Sequence, residues 1–177
     1  MHSTEKVTEI AKKIKLLILD IDGVLTDGGI YFDDTGKELK KFNSLDGHGI
    51  NMLLSSGIEV GVITARSTSS VSYRLKDLGV KHYYHGISDK SIALTELTDK
   101  LSIELSQVCY VGDDVIDLTV MTKVALPIAV ANAHSFVKEH SILVSEKCGG
   151  SGAVREVCDF LLKSQGKYDA LMESYLK

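Results

Sequence analysis

The stretch Leu16-Leu-Ile-Leu-Asp-Ile-Asp-Gly-Val-Leu-Thr-Asp27 decides how this chain folds. It begins with an apolar run, which is typical of a buried strand, and continues into two carboxylates, Asp20 and Asp22, and then Gly23. Closely spaced buried carboxylates repel each other and are costly unless a cation or hydrogen-bond donors compensate them. The pair therefore indicates a catalytic layout. Taken alone, it is equally compatible with a strand that runs out into a polar turn.

Length, charge and hydropathy limit the class of protein. The 177 residues fit a single α/β domain over 1–177, with 164–177 as a C-terminal tail. The formal net charge of −4 argues against a surface for nucleic acid or anionic membranes. No apolar stretch is long enough to span a bilayer, and the first six residues lack a signal-peptide pattern. We therefore expect a cytoplasmic protein with no nucleic-acid or membrane partner.

The cysteines and histidines indicate no disulfide framework and no zinc site. Cys109, Cys148 and Cys158 are odd in number, irregularly spaced and without a C-x-x-C pair. The six histidines form no H-x-x-x-H array, so we interpret each of them as a surface or structural residue.

Strands and helices alternate along the chain, which predicts a doubly wound, Rossmann-like parallel sheet with helices on both faces. Asp46-Gly47 is interpreted as the cap of the second helix, and 124–130, which contains the only proline, as a short strand at the sheet edge. The segment 28–42 predicts a β-hairpin flap after the first strand, with 39–42 as its second strand. The other predicted strands are 16–19, 60–63, 80–84 and 108–111, and the other predicted helices are 7–14, 68–78, 89–101 and 153–162.

Polar side chains follow the ends of the predicted strands. In sheets of this kind, ligands bind at the carboxyl ends of the strands. Four consecutive strand-to-helix junctions therefore bring carboxylates, a hydroxyl and an amine to one rim. The residues at this rim are Asp20, Asp22, Thr64, Lys90, Asp113, Asp114 and Asp117.

This set suits metal-assisted phosphoryl transfer to a carboxylate. Magnesium prefers oxygen ligands, which Asp20 and Asp113 can supply. Lys90 and the Thr64 hydroxyl would hold the transferring group and stabilise its charge. Asp20 would attack phosphorus, while Asp22 would protonate the leaving oxygen and later take a proton from water.

The chain resembles the phosphatases of the haloacid dehalogenase superfamily, whose four motifs it reproduces in order over nearly its whole length. Asp20-Ile-Asp-Gly-Val24 matches the first motif, with the nucleophile first and the acid/base second. Thr64 matches the second motif, Lys90 the third, and Gly112-Asp-Asp-Val-Ile-Asp117 the fourth. The resemblance implies an enzyme with the fold described above.

The same resemblance implies a magnesium site and a lid arrangement. The metal would be bound by Asp20, by the backbone carbonyl of Asp22 and by Asp113, while Asp114 and Asp117 would hold Lys90 and the waters of the metal. The intervals 20–64 and 64–90 have no room for a cap domain. A capless site must act on a macromolecule or take its lid from another subunit, for which the hairpin and the tail are candidate surfaces.

Within this superfamily, the chain is similar in length and layout to the capless, tetrameric 3-deoxy-D-manno-octulosonate 8-phosphate phosphatases of lipopolysaccharide synthesis. The similarity is carried by 20–28, 42–50, 63–66, 89–90 and 149–156. It implies a small phosphorylated acidic sugar as substrate, a homotetramer, and a tail near a neighbouring subunit's site. The implied substrate contacts are Asp22, Asn43, Ser44, Leu45, Asp46, Gly47, Asn51, Arg66, Arg74 and Lys90.

Several alternatives stay open at this point. Leu45 and Asn51 stand where an arginine is common in that subfamily, and Ala65 replaces a glycine, so a related nonulosonate 9-phosphate is an alternative substrate. A non-catalytic tetramerisation module is a second alternative. Some of the candidate residues also have simpler interpretations: Arg66 and Arg74 as solvated helix residues, Asp46 as an N-cap, Asp114 as structural, and Gly149-Gly150 as a flexible turn.

Overall fold

A six-stranded parallel sheet forms the centre of the computed structural model, which describes residues 4–177. Residues 1–3 lie outside the described residues. They are the start of the predicted domain and of the segment that lacks a signal-peptide pattern. The strands are β1 (Leu16–Leu19), β2 (Tyr31–Phe32), β3 (Glu38–Leu39), β4 (Glu59–Ile63), β5 (His82–Tyr84), β6 (Val108–Gly112), β7 (Leu126–Ala129) and β8 (Leu143–Val144). The helices are α1 (Thr4–Ala11), α2 (Ser44–Ser55), α3 (Ser69–Asp77), α4 (Lys90–Leu101), α5 (Leu118–Met121), α6 (Ser135–Glu139), α7 (Ala153–Ser164) and α8 (Tyr168–Ser174).

Strand β1 lies in the interior of the sheet, whose order is β5-β4-β1-β6-β7-β8. Its four residues are completely buried, as a strand covered on both faces requires. Leu19 pairs in register with Val62 of β4 and with Val111 of β6. The three strands therefore end at nearly the same level, and the polar residues that follow them emerge at one edge.

Helices cover both faces of the sheet. On one face α7 packs against α1 and α2, and on the other α4 packs against α5. The predicted doubly wound fold is confirmed, and the segments between its strands contain no cap domain within residues 4–177. None of the helices in this range is both long and apolar enough to cross a bilayer. That residues 1–177 form a single domain stays a prediction.

The hairpin β2–β3 projects after β1 and is pinned at its base. Tyr31 pairs with Leu39, and an isolated bridge joins Thr26 to Phe42. The second strand covers Glu38–Leu39 and therefore lies nearer the hairpin turn than the predicted range 39–42, which was wrong. After Leu39 the chain returns to the sheet, where Phe42 forms its bridge with Thr26.

The prediction that 124–130 is an edge strand was wrong. Strand β7 lies inside the sheet, because the unpredicted β8 pairs with its outer side. The Pro127 carbonyl accepts a hydrogen bond from the Ile142 backbone N–H at 2.9 Å, so this residue faces β8. Strand β8 has only two residues, so the β7–β8 pairing loses no hydrogen bond because Pro127 lacks a backbone N–H.

The prediction that Asp46-Gly47 caps α2 was also wrong. Asn43 is the N-cap, and its side chain accepts a hydrogen bond from the Leu45 backbone N–H at 2.8 Å. Asp46 lies in the first turn of α2, and its buried carboxylate accepts the backbone N–H groups of Arg155 at 2.8 Å and Gly152 at 3.3 Å. It therefore caps α7, far along the chain. The predicted tail 164–177 contains α8, which was not predicted.

We expect Asp46→Ala to lower the free energy of unfolding by about 0.5–2 kcal/mol, the usual cost of a lost helix cap. The substitution leaves two N–H groups at the start of α7 without their acceptor. Urea unfolding followed by circular dichroism measures the change. Asp34→Ala, in the exposed hairpin turn, is the control and should change stability by less than about 0.5 kcal/mol. Equal stability of the two variants would contradict this assignment.

Candidate active site

A buried network of charges lies at the carboxyl edge of the sheet. Asp20 follows β1, and its Oδ1 atom lies 2.7 Å from Nζ of Lys90, the first residue of α4. The same Nζ lies 2.7 Å from Oδ1 of Asp117, which also accepts the Tyr110 hydroxyl at 2.6 Å. A single ammonium thus joins the end of β1 to the segment that follows β6.

Asp113 faces this network across the turn that follows Asp20. A Cβ on Gly23, which has a φ of 92°, would lie 2.1 Å from Oδ2 of Asp113, so only glycine permits this approach. Oδ1 of Asp113 is buried and has no hydrogen-bond partner within residues 4–177. One carboxylate oxygen from each of Asp20, Asp113 and Asp117 lies within 4.8 Å of the others.

The pKa values of these groups reflect burial and crowding. Burial, followed by the charge of Asp117, raises the pKa of Asp20 to about 7 against the opposing pull of Lys90. Burial, followed by the charges of Asp20 and Asp117, raises the pKa of Asp113 to about 8. Burial alone would lower the pKa of Lys90, but Asp20 and Asp117 outweigh it and hold that pKa above its ordinary value. When all three acids are ionised, they carry two more negative charges than Lys90 neutralises.

Asp117 differs from the other two acids because both of its oxygens are engaged. Oδ1 is held by Lys90 and Tyr110, and Oδ2 accepts the backbone N–H of Asp113 at 2.9 Å and, less closely, that of Asp114 at 3.3 Å. Asp117 therefore shapes the loop, whereas Asp20 and Asp113 retain oxygens that can bind a cation. Asp114 is exposed, and its side chain accepts the Val115 N–H.

Two glycines from the loop before α7 support the turn that follows Asp20. A Cβ on Gly149 would lie 1.6 Å from the Gly23 carbonyl oxygen, and one on Gly150 would lie 2.4 Å from the Asp27 backbone nitrogen. Both glycines are buried, and the Gly150 N–H donates to the Val24 carbonyl at 2.9 Å. This segment is a close backbone contact, and the interpretation as a flexible turn has no support in the packing.

The remaining catalytic candidates lie at the same edge. Thr64 follows β4 and is buried, and its Oγ1 accepts the Arg66 backbone N–H at 3.4 Å. The Asp22 carboxylate pairs with the ammonium of Lys40, which comes from the hairpin. The guanidinium of Arg66 reaches the same hairpin, with its Nη2 atom 2.9 Å from Oε2 of Glu38.

Most of the residues implied as substrate contacts lie on α2 or at its start, and Arg74 lies on α3. Ser44, Leu45 and Asn51 are exposed on α2, while Asp46 is turned toward α7. A Cβ on Gly47 would lie 2.1 Å from Nη2 of Arg74, so this guanidinium packs over α2, with its Nη1 atom 2.8 Å from Asp77. Asn43 reaches the Gly150 carbonyl at 3.4 Å. The substrate contacts themselves stay predictions.

Sequence reasoning missed three residues of this region. Tyr110 carries a hydroxyl inside an otherwise apolar buried strand, and such a group needs a partner, so the sequence did hold a signal for it. Glu38 and Lys40 lie in a charged hairpin sequence that is typical of a solvated surface. Nothing local distinguishes them from Lys37 or Lys41.

The chain is similar to known proteins in sequence and in fold. The family model of haloacid dehalogenase-like hydrolases matches residues 84–156. The 3-deoxy-D-manno-octulosonate 8-phosphate phosphatase of Salmonella typhi is 52% identical over 167 residues, which cover 94% of this chain and 88% of that protein. The chain belongs to the haloacid dehalogenase-like hydrolases. The family predicted from the four motifs is therefore confirmed.

Two solved structures of phosphatases with the same name extend the similarity to the whole fold of this hydrolase. The one from Yersinia pestis has a TM-score of 0.92 and 45% identity and covers 93% of this chain and 89% of its own. The one from Moraxella catarrhalis, in complex with a magnesium ion, a phosphate ion and a KDO molecule, has a TM-score of 0.95 and 41% identity. It covers 98% of this chain and 99% of its own.

We expect the metal-free protein to lose stability as the pH rises from about 4 to about 8, because folding raises the pKa values of Asp20 and Asp113 from 3.8 to about 7 and about 8. Between these limits the folded state still holds protons that the unfolded chain has released, so a rise in pH favours unfolding. Asp113→Asn should flatten the decline, and millimolar Mg²⁺ should reverse it in the wild type. Thermal midpoints measured with chelator and with Mg²⁺ test this.

The control for this experiment is Asp34→Asn, which removes an exposed carboxylate of the hairpin turn. Its midpoints should follow those of the wild type at every pH, with and without Mg²⁺. An Asp113→Asn variant that keeps the full Mg²⁺ response would contradict a cation site at Asp113.

Proposed function

We propose that this protein is a magnesium-dependent phosphatase that hydrolyses 3-deoxy-D-manno-octulosonate 8-phosphate to the free sugar acid and phosphate. The observation that carries the proposal is the convergence of Asp20, Lys90 and Asp113 at the carboxyl edge of the sheet. Its substrate rests on the 52% identity to the Salmonella typhi phosphatase and on the KDO molecule in the Moraxella catarrhalis structure.

The acidic cluster fits a hard divalent cation. When all three acids are ionised, two negative charges among these groups are unbalanced, and Oδ1 of Asp113 is a buried oxygen without a donor within residues 4–177. Asp20, Asp113 and the backbone carbonyl of Asp22 would hold the ion. Mg²⁺ bound there would keep the two acids ionised and screen the Asp20 carboxylate from the negative phosphate.

The reaction would proceed through an aspartyl phosphate. An Asp20 oxygen forms a bond to phosphorus while the bond from phosphorus to the sugar oxygen breaks, and Asp22 gives a proton to that oxygen. Water then attacks phosphorus and loses a proton to Asp22, and the bond to Asp20 breaks to release phosphate. Lys90 and the Thr64 hydroxyl hold the phosphoryl oxygens and stabilise their charge.

Cationic side chains beside the site suit an acidic sugar. The Arg66 side chain is 43% exposed and reaches Glu38 of the hairpin strand β3, and Arg74 lies over α2. Either guanidinium could pair with a sugar carboxylate. Leu45 and Asn51 supply no such charge, which keeps a nonulosonate 9-phosphate as the alternative substrate.

The open site supports a role for self-association. The hairpin exposes Ile30, Tyr31, Leu39 and Phe32, the last at 62%, and large apolar side chains exposed together mark interaction surfaces. A homotetramer would cover them and bring a neighbour's tail to the site.

A cytoplasmic location is also part of this proposal. The complete set of catalytic groups argues against a non-catalytic tetramerisation module.

We expect Asp20→Asn to abolish phosphate release and Asp22→Asn to reduce it about 10²- to 10⁴-fold, the usual contribution of a general acid/base. The assay follows phosphate release from a panel of phosphorylated ulosonates with Mg²⁺, and chelator should suppress it. Asp34→Asn is the matched control and should behave as the wild type. Substantial activity in Asp20→Asn would overturn the mechanism, and faster cleavage of simple aryl phosphates than of every acidic sugar would overturn the substrate.

The assembly is tested separately. Light scattering should give a tetramer for the wild type, and Phe32→Asp should shift the mass downward because it replaces one of the exposed apolar side chains of the hairpin by a charge. Lys37→Asp, in the turn of the same hairpin, is the control and should leave the mass unchanged. A monomeric wild type at assay concentration would contradict the shared-lid arrangement.

A further inference from the structure

Lys40 of the hairpin is buried against the acid/base candidate. It follows β3, and its side chain is only 1% exposed. Its ammonium pairs with Oδ1 of Asp22 and lies 3.0 Å from Oε1 of Glu38. A buried ammonium is costly unless it is paired on several sides, so a lysine in this environment is fixed in place.

Glu38, the first residue of β3, pairs with Lys40, which follows that strand. The two residues are two positions apart, and Oε1 of Glu38 lies 3.0 Å from Nζ of Lys40. The other oxygen of Glu38 binds the guanidinium of Arg66 at 2.9 Å. Charges alternate along this row from Arg66 through Glu38 and Lys40 to Asp22. The row ties the hairpin to the loop after β4 and to the turn after β1.

The Asp22 carboxylate needs such a support. Its backbone has a ψ of 111° and precedes Gly23, whose φ is 92°, so no regular helix fixes the side chain. The side chain is 28% exposed, and Lys40 is the ion-pair partner that the structure gives it within residues 4–177. Asp20, by contrast, lies against Lys90, which Asp117 and Tyr110 hold from behind.

We propose that Lys40 is a positioning residue for the reaction: it holds the Asp22 carboxylate where that group reaches the leaving oxygen and the attacking water. Glu38 in turn fixes Lys40. The inference rests on the proposed function, in which Asp22 is the acid/base. It gives the hairpin a part in the chemistry of its own subunit, in addition to any contact between subunits.

The two halves of the reaction depend differently on Asp22, which makes the inference testable. With p-nitrophenyl phosphate, the leaving nitrophenolate needs no proton, so Asp20 forms its bond to phosphorus without help from Asp22. Hydrolysis of the aspartyl phosphate still needs Asp22 to accept a proton from water. A misplaced Asp22 should therefore slow the second half alone, and the phosphorylated enzyme should accumulate.

The experiment compares the wild type with Lys40→Met, Lys40→Arg, Glu38→Gln and the control Lys41→Met, whose side chain is 68% exposed. With the sugar phosphate, Lys40→Met should lower kcat about 10- to 100-fold and change KM by less than about 3-fold. Rapid mixing of Lys40→Met with p-nitrophenyl phosphate should give a burst of about one nitrophenolate per site. Lys40→Arg should recover part of kcat, and Lys41→Met should match the wild type.

The outcomes separate this inference from the proposed function. Unchanged kcat in Lys40→Met, or a loss without a burst, would overturn the role of Lys40 while wild-type activity upholds the phosphatase. If the wild type cleaves p-nitrophenyl phosphate but no acidic sugar phosphate, the proposed substrate is overturned. The burst measurement with Lys40→Met still tests the role of Lys40. A wild type inactive toward both would overturn both. Lys40→Met could also lower the thermal midpoint markedly, and in that case Glu38→Gln, which keeps Lys40, decides the question. Glu38→Gln should lower kcat and give a burst. If its kinetics match those of the wild type, the inference is overturned.

Discussion

Carboxylates crowded at one buried edge of a sheet must be compensated, and the rest of this structure is arranged around that requirement. Asp20 is buried at the end of β1, where the register of the parallel strands brings the segment after β6 beside it. The pKa values of Asp20 and Asp113, raised to about 7 and about 8, show that one ammonium does not suffice. Lys90 begins α4 at this edge, where its Nζ atom lies 2.7 Å from both Asp20 and Asp117.

The same solution occurs twice around the Asp20-Ile-Asp22 sequence. Each acid pairs with a buried lysine, and each lysine is held from behind by a second carboxylate: Lys90 by Asp117, and Lys40 by Glu38. The first pair belongs to the sheet and the second to the hairpin. Because both lysines are desolvated, neither can relax into water when its partner changes charge, which favours a fixed geometry for both acids.

How far the sequence predicts this molecule depends on how local the determining contacts are. Asp20, Thr64 and Asp113 could be placed at one edge because the carboxyl ends of parallel strands lie at the same edge of a sheet. The cap of α7 could not be predicted, since Asp46 and Arg155 meet only through packing of α2 on α7. Lys40 lies in a hairpin whose charges are typical of a solvated surface, and β8 has two residues, which is too short for any periodic pattern.

The spacing between Asp113 and Asp117 explains why Asp117 has hydrogen-bond donors on both carboxylate oxygens, whereas Asp113 keeps one oxygen without a donor within residues 4–177. Asp117 lies four residues after Asp113, and its side chain folds back so that Oδ2 accepts the backbone N–H of Asp113 and approaches that of Asp114. A Cβ on Gly112 would lie 2.7 Å from Cβ of Asp117, so the glycine before Asp113 makes room for this return. With its backbone held in this way, Asp113 presents a buried oxygen that no donor among residues 4–177 occupies. The acid that shapes the loop and the acid proposed to bind the cation are therefore separated by geometry, although both are aspartates of one short motif.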